Sequence, residues 1–182
     1  VVVADGNNNR VQTIDSNGVF GTPFGQFGTA NSEFNVPRGI AFRGSIYVAD
    51  RDNHRVQKFS NAGAHLLTWG GEGTGAGEFR RPFAVAVDAA NNVYVTDVDN
   101  SRVQKFDANG VHLLSWGTAG SGNGQFNVPE GIATDRDGNV YVADTLNHRI
   151  QKFTSAGVFV TSIGSAGSGT GQLGKPASVA VD

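Results

Sequence analysis

Short runs of alternating apolar and polar residues, separated by turn-forming residues, follow one another along the whole chain. The run Arg102–Phe106 alternates strictly, as a β-strand with one buried face does. Turn signals such as Asn17-Gly18 and Asn109-Gly110 separate these runs. No segment shows an apolar period of 3.6 residues, so the pattern predicts an all-β protein with almost no helix.

The strand pattern occurs in four copies. The motif Tyr-Val-Ala-Asp at Tyr47–Asp50 recurs at Tyr94–Asp97 and Tyr141–Asp144, and a degenerate copy lies at Val2–Asp5. Successive aspartates of this motif are 45, 47 and 47 residues apart. The same spacings separate four prolines, Pro37, Pro82, Pro129 and Pro176. Internal repeats of this length are typical of repeat architectures, in which each unit packs on its neighbours.

Each copy contains four predicted strands. The first follows the proline, the second is the Tyr-Val-Ala-Asp strand, the third alternates, and the fourth ends on a large apolar residue before glycine. Pro23 lies in a fourth strand, which predicts that this strand is the outermost one, because an edge position tolerates a missing N–H. Such units are typical of propeller blades. We predict a single β-propeller domain over residues 1–182, with repeats at approximately 1–36, 37–81, 82–128 and 129–175.

These motifs closely resemble those of the NHL-repeat β-propellers. In one copy they read Gly-x-Gly-x-Gly-x-Phe at Gly120–Phe126, Pro-x-Gly-Ile-Ala at Pro129–Ala133, Tyr-Val-Ala-Asp at Tyr141–Asp144 and Asn-His-Arg-Ile-Gln-Lys-Phe at Asn147–Phe153. The resemblance covers the entire chain and implies four-stranded antiparallel blades. Members of that family usually close with six blades, whereas four repeats are present here.

The chain begins on a second strand and ends on a predicted first strand, Ser178–Val181. If this strand, within residues 176–182, completes the first blade, the chain forms a closed four-blade ring. There are two alternatives. One is a larger ring of which this chain forms a part, which predicts a homo-oligomer through blade or ring completion. The other is a fragment of a six-bladed propeller. The chain contains no Met, which fits a processed product, an excised fragment or part of a longer protein.

Composition excludes several classes of function. The formal net charge is −2, from 14 Lys and Arg against 16 Asp and Glu, without a basic cluster, which disfavours a nucleic-acid partner. Cysteine is absent, which excludes disulfides, thiolate metal sites and a Cys nucleophile. No apolar run approaches the roughly 18 residues of a membrane-spanning helix.

Residues that recur in every copy are interpreted as architecture, because a ligand site should break the repeat symmetry. An Asp and an Arg flank the turn between the second and third strands, and a charge pair there would brace the turn together with a recurrent Asn. In the three better-preserved copies these framework residues are Asp50, Arg55, Asp97, Arg102, Asp144 and Arg149.

Candidate cofactor and metal motifs are weak. The glycine-rich stretch Gly120–Gly124 and its equivalents precede a proline and a strand, not the helix N-terminus that a phosphate cradle needs, so they are predicted to be inter-blade connections. His54 and His148 flank framework arginines, and Asp135-x-Asp137-Gly138 lacks the remaining ligands of a calcium loop. We predict no cofactor and no metal.

The copies differ most on one face of the predicted ring, where the connection into the first strand and the turn between the second and third strands emerge. A mixed basic, acidic and aromatic surface suits protein or peptide recognition, and an ordinary solvated loop surface is the alternative. The candidate binding residues are Arg38, Arg51, Asp52, His54, Arg80, Arg81, Phe83, Asp99, Glu130, Leu146 and His148.

No nucleophile elbow and no asymmetric Ser/His/Asp set is present, which favours a non-catalytic binding or scaffold module. Two alternatives follow from the resemblance: a metal-assisted lyase or hydrolase with a site in the propeller channel, and an RNA-binding propeller. Similarity to bacterial NHL-repeat proteins with blades rich in Gly, Asn and Ser favours a secreted or surface-attached location.

Overall fold

The first repeat forms a partial blade. In the computed structural model, which describes residues 1–182, it contains strands β1 (Val2–Asp5) and β2 (Arg10–Thr13), paired antiparallel. Its predicted fourth strand makes only two isolated bridges, Val11 with Phe24 and Ile14 with Phe20. Pro23 lies in that segment and has no N–H for a regular ladder.

The next three repeats each form a four-stranded antiparallel sheet in sequence order, which confirms the predicted blades. The second blade comprises β3 (Pro37–Phe42), β4 (Ile46–Asp50), β5 (Arg55–Phe59) and β6 (His65–Gly70). The third comprises β7 (Pro82–Val87), β8 (Val93–Asp97), β9 (Arg102–Phe106) and β10 (His112–Trp116). After the short parallel pair β11 (Thr118–Ala119) and β12 (Gln125–Phe126), the fourth comprises β13 (Pro129–Thr134), β14 (Val140–Asp144), β15 (Arg149–Phe153) and β16 (Phe159–Ile163).

Helical structure is confined to single 3-10 turns between the second and third strands of each blade. They span Gly6–Asn8, Arg51–Asn53, Val98–Asn100 and Thr145–Asn147. None of them is long or apolar enough to cross a membrane.

The blades pack face to face. In the third blade, the face that contacts the preceding blade, here called the leading face, carries Val93, Val95 and Phe106. The face that contacts the following blade, here called the trailing face, carries Tyr94 and Trp116. Three apolar clusters result, one between each pair of consecutive blades, and no cluster joins the fourth blade to the first. The blades therefore form an open arc.

The inner strands of neighbouring blades touch through their backbones. A Cβ on Gly39 of β3 would lie 2.3 Å from the Cα of Ala84 in β7, so this approach requires glycine. Gly131 of β13 faces the backbone of Ser178 in the same way.

Residues 176–182 do not form the strand that the sequence predicts at Ser178–Val181. They lie where the first strand of a following blade would stand, but they pair with no strand and make no backbone hydrogen bond to β1. The physical reason is the absence of a second strand beside them, since every first strand of the chain forms its ladder with the Tyr-Val-Ala-Asp strand that follows it.

Candidate functional site

A buried carboxylate organises the turn between the second and third strands of each complete blade. In the second blade Asp50 is fully buried and accepts hydrogen bonds from Arg55 Nε at 2.7 Å, Asn53 Nδ2 at 2.9 Å and Gln57 Nε2 at 3.1 Å. The backbone N–H of Asn35 donates to the same carboxylate at 2.8 Å. The carboxylate is thus saturated by donors of its own chain.

The arginine of each pair also fixes the glycine-rich connection that precedes its blade. Arg102 bonds Asp97 through Nε at 2.7 Å, and its terminal nitrogens donate to the carbonyl oxygens of Thr74, Gly75 and Glu78. Arg149 holds Asp144 and its own connection in the same way. Burial raises the pKa of the Asp97 carboxyl, against hydrogen bonds from Asn100, the Arg80 N–H and Arg102 that favour the carboxylate.

Two of the candidate binding residues, Arg38 and Phe83, lie at one mouth of the channel between the inner strands. The Asp52 N–H donates to the Asn35 carbonyl at 3.0 Å, which brings the connection into the first strand beside the turn between the second and third strands. The inner strands border an open cavity of about 460 Å³. It is lined by residues 38–40, 83–85, 131–132 and 177–179.

Arg38 and Phe83 form the basic and aromatic part of this mouth. The guanidinium carbon of Arg38 lies 5.9 Å from the centroid of the Phe83 ring, within the range of a cation–π contact. Arg38 and Arg80 are exposed, and neither guanidinium forms an ion pair. Two positive groups are thus available to a ligand.

Two of the three acidic candidates, Asp52 and Asp99, are paired with the remaining arginines, whereas Glu130 has no ion-pair partner. Arg51 Nη1 lies 2.9 Å from Asp52 Oδ1, and Arg81 reaches Asp52 at 3.9 Å and Asp99 at 3.5 Å. Arg81 therefore bridges the second and third blades. The Arg51–Asp52 pair is half-buried, whereas Arg81 and Asp99 are exposed, and the pairs offset the negative charge of this face.

His54 and His148 hold backbone groups. The Nδ1 atom of His54 accepts a hydrogen bond from the Arg81 N–H at 3.1 Å, and Nδ1 of His148 accepts one from the Lys175 N–H at 3.2 Å. The equivalent Asn9 uses its Oδ1 atom in the same way toward Val36. A side-chain acceptor recurs at this position in three of the four copies, a signal of an architectural role that the sequence analysis did not use.

The fourth blade supplies the remaining candidates. Thr145 Oγ1 donates to the Pro176 carbonyl at 2.9 Å and lies 3.4 Å from Glu130 Oε2. Leu146 is 40% exposed beside them. Both Glu130 and Leu146 lie on the same face as Arg38 and Phe83, on a different blade.

Polar groups at the opposite end of the blades form separate clusters. Asp135 accepts hydrogen bonds from Asn139 Nδ2 at 2.7 Å and Tyr141 Oη at 3.1 Å, and these hold the pKa of its carboxyl below the ordinary value although burial raises it. Burial and the neighbouring Asp88 raise the pKa of Tyr94. No group of three or more His, Cys, Asp or Glu side chains is placed to hold a metal ion.

Comparison with known proteins identifies the repeat. The family model described as NHL repeat matches residues 34–59, 79–106 and 126–153. No curated protein sequence matches the chain significantly.

Solved structures of propeller type share the fold. A catalytically inactive virginiamycin B lyase from Staphylococcus aureus with quinupristin has a TM-score of 0.65 at 16% identity, over 87% of this chain and 49% of that chain. A streptogramin B lyase has a TM-score of 0.66 at 14% identity, over 86% and 48%. A functionally unknown protein from Desulfotomaculum acetoxidans has a TM-score of 0.64 at 17% identity, over 95% and 55%. The chain spans about half the length of these structures, and the likeness shows the fold alone.

Proposed function

Because this chain belongs to the NHL-repeat family, we propose that it is a non-catalytic module that binds a protein or peptide at the channel mouth around Arg38 and Phe83. One observation carries the proposal. The exposed Arg38 guanidinium stacks against Phe83 at the mouth and has no carboxylate partner. Arginine and aromatic side chains are the residue types that most often anchor protein interfaces.

The charge distribution favours an acidic ligand. Asp52 and Asp99 are paired with Arg51 and Arg81, whereas Arg38 and Arg80 are unpaired. A side-chain or C-terminal carboxylate can therefore bind these arginines, with an adjacent apolar side chain on Phe83.

The framework residues support a binding role over a catalytic one. Asp50, Asp97 and Asp144 are fully buried, and each is occupied by an arginine, an asparagine and a glutamine of its own blade. A carboxylate that is saturated by internal donors has no free lone pair directed at a substrate.

Peptide binding tests the proposal. The probe is an array of short peptides that carry a glutamate beside a phenylalanine or leucine, with the glutamate replaced by glutamine in a matched set. We expect the acidic set to bind preferentially. In solution, Arg38→Ala should weaken the best peptide about tenfold, since loss of an anchoring interaction costs about 1.4 kcal/mol.

Arg136 provides the matched control. It is an exposed, unpaired arginine in the turn between the first and second strands of the fourth blade, at the opposite end from the mouth. Arg136→Ala should leave the affinity unchanged. Equal binding of the glutamate and glutamine sets, or equal losses for Arg38→Ala and Arg136→Ala, would contradict the proposal.

A further inference from the structure

A serine hydroxyl and a histidine ring meet at the outer edge of the third blade. His112 begins β10, and Ser115 lies three residues later on the same strand. The Nε2 atom of His112 lies 2.7 Å from Ser115 Oγ, and both residues are half-buried. A hydroxyl within hydrogen-bond distance of an imidazole is the arrangement that activates serine as a nucleophile.

The distances around Ser115 determine where its hydroxyl hydrogen points. Ser115 Oγ lies 3.4 Å from Gln104 Oε1, which is longer than the roughly 2.7 Å of an ordinary O–H···O hydrogen bond. That amide oxygen already accepts the Gly77 N–H at 3.0 Å. The short contact with His112 therefore takes the hydrogen, and Nε2 of the ring is the acceptor.

The second blade has a related pair with a different hydrogen-bond pattern. His65 Nε2 lies 2.7 Å from Thr68 Oγ1, and this hydroxyl donates to Asn31 Oδ1 at 3.1 Å. His65 must then donate to Thr68, so its Nε2 atom is not free to accept a proton. In the glycine-rich connection before the third blade, Ala76 occupies the position of Asn31 and has no side-chain acceptor. The hydroxyl of Ser115 is thus left to its histidine.

The His112 ring is held against the apolar core. It meets the Phe106 ring edge-on, with centroids 5.6 Å apart and an interplanar angle of 80°. In the fourth blade Phe159 takes the position of His112 and packs on Phe153 in the same way, at 6.0 Å and 77°. Either ring satisfies the packing, so the imidazole nitrogen beside the hydroxyl is not required by the blade.

The hydroxyl of Ser115 is open to a small reagent. Ser115 is half-buried, and the neighbouring connection is exposed at Gly75 and Ala76. The side chain of Ala76 ends at Cβ, so no amide covers the hydroxyl from that side, as the amide of Asn31 does in the second blade. The available space favours a small electrophile.

We propose that Ser115 is a covalent modification site, with His112 as its general base, for activated carboxylic esters that carry a small acyl group. Ser115 Oγ attacks the carbonyl carbon, the Oγ–C bond forms, and the bond from that carbon to the leaving oxygen breaks. The hydroxyl proton passes to His112 Nε2 and from there to the leaving oxygen or to water.

The extent of the reaction follows from the surroundings of the ring. No carboxylate forms an ion pair with His112, so the imidazolium lacks the stabilising partner of a full catalytic triad. We therefore expect one acyl group per chain and no rapid turnover. The site lies at the outer edge of a blade and does not depend on peptide binding at the channel mouth.

Acetylation by p-nitrophenyl acetate tests the site, with Ser162 as an internal control. Ser162 occupies the position of Ser115 in the fourth blade, but Phe159 stands in place of the histidine, and Ser162 is the more exposed serine. Mass spectrometry of peptides taken at successive times measures acetylation at each serine. Ser115 should react at least about 100-fold faster, because a general base contributes about that factor or more. Similar rates at the two serines would overturn the proposal.

His112→Phe separates the imidazole from its packing. The substitution reproduces the aromatic pair of the fourth blade, so the urea midpoint should stay close to that of the parent chain. Acetylation of Ser115 should fall about 100-fold, to the rate of Ser162. An unchanged rate in the folded variant would contradict the role of His112. The comparison of the two serines in the parent chain holds however this variant folds.

Ala76→Asn restores the acceptor that the second blade has. The new amide oxygen should take the hydroxyl hydrogen of Ser115 and slow its acetylation about tenfold, the factor that one competing hydrogen bond imposes. An unchanged rate would overturn the assignment of the hydroxyl hydrogen to His112. Arg38→Ala should leave acetylation unchanged, which separates this test from that of peptide binding.

Discussion

At the scale of single residues, the aspartate that ends each second strand joins three parts of its blade. Asp97 receives Arg102 and Asn100 from the following turn and third strand, and the N–H of Arg80 from the connection before the blade. Because it is fully buried, removal of its charge leaves the Arg102 guanidinium without an anionic partner. Its role is to position backbone segments, which explains why it recurs in every copy.

Asp97→Asn should therefore lower the free energy of unfolding by about 3 kcal/mol, since one partner of a buried ion pair is lost. Urea unfolding followed by tryptophan fluorescence measures the change. Asp137→Asn, at an exposed turn residue without an ion pair, should change the free energy by less than about 0.5 kcal/mol. Similar losses for the two variants would show that the buried network is not the cause.

The histidines among the candidate binding residues also have a structural role. His54 and His148 each accept a backbone hydrogen bond, as Asn9 does in the first blade, and their role in binding stays a prediction. Their conformation is left-handed, with φ values of 56° and 57°. Asparagine and histidine are both found in that conformation more often than most residues, so the shared requirement is for a side-chain acceptor on a left-handed backbone.

At the scale of elements, small residues determine the spacing between the inner strands of neighbouring blades, and large residues determine the spacing between their outer strands. Gly39 allows β3 to approach β7 through their backbones, while Trp69 fills the wider space between the outer parts of the second and third blades. This difference in side-chain size between the inner and outer parts is what makes neighbouring blades diverge from the channel outward.

Gly39→Ala should force the inner strands apart, because the new Cβ would lie 2.3 Å from a backbone atom of Ala84. We expect a loss of about 2 kcal/mol in the free energy of unfolding, typical of overpacking. Gly71→Ala is a suitable comparison, since a Cβ there meets nothing within 4 Å and the residue has no positive φ. Thermal unfolding of the two variants should separate them, and equal melting temperatures would contradict the close approach.

At the scale of the whole molecule, stability depends on how many neighbours each blade has. The third blade has a blade on both sides, and its Tyr94, Val95 and Phe106 are fully buried. The first blade packs on one side only, and its partial sheet contains two strands. In repeat proteins each unit is stabilised by its neighbours, so terminal units open more readily than internal ones.

Hydrogen exchange should resolve this gradient. Amides of β1 and β2 should exchange faster than those of β8 and β9, because the leading face of the first blade is open to solvent. Mass spectrometry of peptic fragments after exchange provides the rates. Uniform protection along the chain would indicate that the four blades unfold as one unit.

The blade was determined by sequence alone. Alternating strands, the turn signals and the proline at the start of each copy are local features, and period-two patterning with recurrent turns allows few structures besides four-stranded units. The family assignment and the all-β fold are confirmed for the same reason. The set of candidate binding residues also came from the sequence, since Arg38 and Phe83 interrupt the repeat.

Only the tertiary structure decided whether the blades close into a ring and which charged side chains are paired. Whether the arc closes depends on the angle between blades, which is the sum of many small packing differences and has no local sequence signal. The ion pairs among the loops near Arg38 also have no local sequence signal. Arg81 is paired and Arg38 is free, although both are arginines beside a proline. Sequence spacing determines which side chains recur, whereas contacts between residues far apart in the chain determine which of them remain available.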